Sequence, residues 1–144
     1  MRLDQHFLQE LFDCADADKA ASLATMMLEE LLDAILDGAA RGMLEQQPLR
    51  ECTLAQKIEV ASSLRLVDHA VIAAMRHLTV LNQRHSREVS RADYEALALP
   101  DLDLELRKSR GHERVGPAVQ VNVALCHLLL RLADYSERVS DHEG

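Results

Sequence analysis

Asn82, Arg84, His85 and Arg87 fall within VLNQRHSREVS (residues 80–90), at the end of a run with helical periodicity. A histidine among arginines joins a group that exchanges protons near neutral pH to cations that hold phosphate or carboxylate. At 100° per residue, Asn82 and His85 continue the apolar stripe of Val71, Met75 and Leu78, while Arg76, Arg84 and Arg87 gather on the opposite face. Two readings of Asn82 and His85 follow. They form a ligand or interface site, or they satisfy helix-end carbonyls and each other at the rim of the core. The three arginines are read as free to meet carboxylates across an interface, with little weight in folding.

Other residues are informative mainly by what they exclude. Glu29, Glu30, Asp33 and Asp37 make an acidic run that reads as a solvated face, a metal site, or the complement of the arginine face. His69, His77 and His85 recur every eight residues. Neighbours would then stand roughly 12 Å apart and about 80° out of phase on a helix, so they cannot share one ion. No Glu-x-x-His pair of the di-iron bundles is present, nor a glycine-rich phosphate loop, nor a G-x-S-x-G turn, so neither a metal nor another cofactor is expected. Cys14, Cys52 and Cys126 are odd in number and form no C-x-x-C pair. That usage fits a reducing cytoplasm. Cys126 lies next to His127, but sequential neighbours on a helix point different ways, and a place in the core explains the thiol better.

These residues need a scaffold, and composition says which kind. The chain has 144 residues, a length suited to one domain with its own core. It has no Trp and few other aromatics, so aliphatic side chains at helix-compatible positions must fill that core. The formal charge of −8 argues against nonspecific binding to nucleic acid or anionic membrane. MRLDQHFLQELF carries acids where an export signal needs an apolar run. The most apolar stretch, AVQVNVALCHLLLRLA, is interrupted by Gln120, Asn122, His127 and Arg131, and reads as a buried helix rather than a membrane span.

The elements follow from periodicity and caps. Residues 3–14 predict a short helix, and the stretch opened by Asp16 or Asp18 predicts the strongest one, with Ala24, Met27, Leu28, Leu31 and Ile35 on its apolar stripe. Thr53 with Gln56 has the form of a capping box, which starts a third helix with Leu54, Ile58, Ala61 and Leu64 inward. Asp68 can cap the helix that ends in LNQRHSR, and Ser90 with Asp93 repeats the box before RADYEALAL, which Pro100 ends. DLDLELRKSRGHERVG alternates like a strand but has no partner strand, so a short helix and loop are preferred. Pro117 suits the first turn of a last helix reaching about Tyr135. The expectation is an all-α bundle of about five to seven helices.

DADKAASLATMMLEELLDAIL, LAQKIEVASSLRLVD, the helix ending in LNQRHSR and the apolar last helix resemble, in that order, the mannitol operon repressor family, whose fold is similar to the HEPN superfamily of helical domains. The likeness covers most of residues 8–135. Catalytic HEPN proteins are metal-independent ribonucleases with an Arg and a His separated by four to six intervening residues. Laid over that motif, LNQRHSR puts Asn82 at the Arg column, Gln83 at the Asn column and Arg87 at the His column. An arginine cannot exchange protons near neutral pH, so the catalytic pair is missing there. Arg107 and His112 do have the spacing, in a glycine-broken segment away from the motif helix. The resemblance therefore implies a non-enzymatic regulator working through protein contacts. Corepression of a sugar-alcohol operon beside a DNA-binding regulator is one form, with homo-oligomerisation open. The alternatives are a ribonuclease using Arg107 and His112, and a small-molecule sensor with a pocket near Asn82 and His85.

Overall fold

The computed structural model describes residues 3–40, 52–84, 88–102 and 116–141. They form an all-α bundle, and no strand occurs among them. Six helices follow in order: α1 (Gln5–Phe12), α2 (Ala17–Ala40), α3 (Leu54–Ser63), α4 (His69–Arg84), α5 (Arg91–Leu97) and α6 (Pro117–Asp141). Residues 100–102 are helical as well. Pro100 thus opens a helical stretch as well as following one, a use of proline that its fixed φ and missing N–H permit.

The starts of these helices come from local hydrogen bonding. The Asp4 side chain accepts the His6 N–H at 2.9 Å and caps α1. The choice left open at the start of α2 goes to Asp16, whose carboxylate accepts the N–H groups of Asp18 and Lys19 at 3.0 and 3.4 Å. Reciprocal boxes start α3 at Thr53 and Gln56, and α5 at Ser90 and Asp93. Each such cap is worth about 1 kcal/mol. α3 stops at a different device, and Leu64, expected inward, is its C-cap and is exposed because the helical periodicity ends before it. Arg65 takes φ 54, Arg65 N–H bonds the Ser62 carbonyl, and Leu66 N–H bonds the Ala61 carbonyl. That pair of bonds is the Schellman turn, whose left-handed position is usually glycine.

The two long helices form the axis of the packing. At 1.5 Å per residue, α2 and α6 each run about 36 Å, and their pairing is the most extensive in the molecule. α4 lies against α2, α3 and α5, while α5 and α1 pack on α6. Leu28, Leu31, Leu32 and Ile35 of α2 and Leu125, Leu128, Leu129 and Leu132 of α6 are wholly buried. Their cluster continues through Leu11, Ile58, Met75, Leu78, Tyr94 and Leu97 of the other helices. α6 extends past the expected end near Tyr135 because Val139 packs against the core and Ser136 is buried. The two helices approach closely at Gly38, where a Cβ atom would overlap Cγ1 of Val139. Among the described residues, no helix is long and apolar enough to cross a membrane.

Candidate functional site at the end of α4

Asp93, which opens α5, collects most of the polar chemistry at this end of the molecule. Its Oδ2 accepts the Ser90 N–H at 2.8 Å and Arg84 Nη2 at 2.8 Å, with the Ser90 hydroxyl at 3.3 Å. Its Oδ1 stands 3.0 Å from His77 Nε2. His77 and Arg84 are seven residues apart on α4, two turns along one face, so both reach a residue of α5 packed on that face. Asp93 is only 4% exposed. Burial pushes its carboxyl pKa up, but the Ser90 N–H, Arg84 and His77 together outweigh it and hold the value down to about 2.

A carboxylate offers about four lone-pair sites, and here four groups meet it. Asp93 is thus an ionised anchor, too acidic and too fully engaged to accept a proton from a substrate. It also orients His77, which is the supporting half of a catalytic dyad. Among the described residues, however, His77 bonds Asp93 and no nucleophile.

The remaining residues of the expected site are divided among neighbours. Asn82 Oδ1 accepts the Ser22 hydroxyl at 3.2 Å and so ties α4 to α2. Arg76 places Nε and Nη2 at 3.0 and 2.7 Å from Glu59 Oε1 on α3. Two of the three arginines are therefore engaged within the chain: Arg76 pairs with α3, and Arg84 with a buried carboxylate whose position it helps fix. His85 and Arg87 lie outside the described residues, as do Arg107 and His112. Two of the four acids in the expected complement of the arginines, Glu29 and Asp33, are engaged within the chain as well, while Glu30 and Asp37 are exposed. Lys57 Nζ stands 2.8 Å from Asp33 Oδ1 and 3.2 Å from Glu29 Oε1. Lys57 is 3% exposed, and its pKa is raised, first by the hydrogen bond to Asp33, against the cost of burial, with Glu29 adding to the rise.

Two further polar groupings escaped the sequence reading. Asp101 Oδ2 meets Arg131 Nη2 and lies 3.3 Å from His127 Nε2. Asn122 Nδ2 donates to the carbonyls of Phe12 and Cys14, at 3.3 and 2.8 Å, and so receives the end of α1 on α6. The polar breaks in the last helix were the visible signal for His127, Arg131 and Asn122, but not for their partners. Cys126 packs against the core with Sγ 3.7 Å from the Leu8 carbonyl, and burial raises its thiol pKa to about 11. Among the described residues, no three His, Cys, Asp or Glu side chains gather as metal ligands.

No protein-family model matches the chain, and neither a curated protein nor a solved structure does.

Proposed function

We propose that the protein is a non-enzymatic cytoplasmic regulator that acts through protein contacts on an HEPN-like helical fold. Corepression of a sugar-alcohol operon, beside a DNA-binding regulator, is the form implied by the resemblance to the mannitol operon repressor family. The observation that carries the reading is the use made of α4's polar side chains. His77 and Arg84 are spent on one buried carboxylate, Asn82 on Ser22 and Arg76 on Glu59, so the helix end works as a clamp between helices. The net charge of −8 supports a protein partner over direct contact with phosphates.

The test is affinity capture with the full chain in its native host, alongside incubation of the purified protein with RNA in EDTA. Capture of a DNA-binding regulator and intact RNA are expected. Metal-independent cleavage that disappears in His112→Ala would replace this reading with the ribonuclease one.

A further inference from the structure

At the opposite end of α4 from Asn82, about 20 Å away along the helix, the Schellman turn after α3 borders an open recess of about 460 Å³. That volume is within the range of small-molecule sites, roughly 300–1,000 Å³. Its apolar wall is Leu66, Val67 and Ile72, of which Val67 and Ile72 are buried. Its polar rim carries Ser62, Arg65 and His69. Tyr135 and Asp68 complete the lining and are bonded to each other. The Tyr135 hydroxyl oxygen accepts the Asp68 N–H at 3.3 Å, and burial and Asp68 together raise the Tyr135 pKa.

This rim differs from every other polar grouping described above. Lys57, Arg76, Arg84 and Arg131 each face a carboxylate of the chain, and so does Arg138, which pairs with Asp134 beside Tyr135. Among the described residues Arg65 faces none, and Ser62 and His69 have no side-chain partner either. The unspent groups are therefore a guanidinium, an imidazole and a hydroxyl, all able to donate, above an apolar wall. Arg65 also sits where glycine would be the less strained residue.

We propose that this recess binds a small organic anion, a carboxylate or phosphate monoester joined to an apolar body. Arg65 holds the anionic head, His69 and Ser62 complete its hydrogen bonding, and the body lies on Leu66, Val67 and Ile72. The inference is independent of the regulator reading, and it places a small-molecule site away from Asn82 and His85.

Arg65 makes a clean test possible, because Arg65→Gly removes the guanidinium while relaxing the left-handed backbone. Titrations followed by amide NMR, with phenyl phosphate and with benzoate as probes, are expected to give saturable shifts confined to residues around 62–72 and Tyr135. Whichever probe binds more tightly distinguishes the phosphate from the carboxylate class. Arg65→Gly should keep or raise the melting temperature and weaken that probe by about tenfold or more, the loss of a charge-assisted pair, while Arg65→Lys retains part of the affinity. Four results would overturn the proposal: no saturation by either probe up to about 10 mM, unchanged affinity in Arg65→Gly, equal binding of benzyl alcohol, or equal binding of inorganic phosphate alone.

Discussion

The Asp93 carboxylate serves two helices at once, closing the first turn of α5 while its oxygens hold His77 and Arg84 of α4. Its value of about 2 lies below the ordinary 3.8, so the folded state favours the ionised form. The sign follows: this stabilisation is complete above the ordinary value and is lost as the pH falls from about 4 to about 2, amounting to roughly 2 kcal/mol. Asp93→Asn is accordingly expected to lower stability at pH 7 by roughly 2 kcal/mol, with the gap to the parent protein closing on acidification. Urea melts across that range check it, and a gap that ignores pH would contradict the assignment. Lys57 behaves in the opposite sense. Its raised pKa means a contribution that is full below the ordinary 10.5 and fades as the pH rises through the higher folded value. Replacing it by an apolar side chain of similar length leaves Glu29 and Asp33 half exposed and able to hydrate. Lys57→Met is therefore expected to change stability by less than about 1 kcal/mol at pH 7, by chemical denaturation. Asp93's part in the cap was legible in the sequence, but the partners of Asp93 and Lys57 on other helices were not. A lysine is ordinarily an exposed residue, and the pairing of Asp93 with His77 depends on how α5 turns back on α4.

Within single elements the sequence was far more transparent, because caps and stripes are local. Both capping boxes, the inward faces of α2 and α4 and the proline start of α6 all depend on residues within a few turns of each other. Gly38 marks the limit of that legibility. Read locally it loosens the end of a helix, and alanine would be worth about 0.5–1 kcal/mol more there. Packing reverses the sign, since the added methyl group would run into Val139 of α6. Gly38→Ala is thus expected to lower the melting temperature, and Val139→Ala in the same chain to recover part of the loss. Thermal melts of the two single variants and the double variant measure the coupling, which should exceed about 0.5 kcal/mol; simple additivity would show that the helices are not in such close contact.

At the scale of the whole molecule, one apolar cluster joins helices α1 to α6, and Leu28 and Leu128 lie within it with no exposed surface. Leu28→Ala and Leu128→Ala are each expected to cost about 2–5 kcal/mol, read from urea midpoints, and either variant melting like the parent would misplace that helix face. The same architecture has a consequence during synthesis. α1 and α2 both pack on α6, so their apolar faces lack this cover until roughly 100 further residues have followed α2 out of the ribosome. At about 5–20 residues per second, the stripe of Leu28, Leu31 and Ile35 stays without its main partner for about 5–20 s. Through that interval the nascent chain carries an oily helix face of the kind that holding chaperones bind, and its core closes only once α6 has emerged.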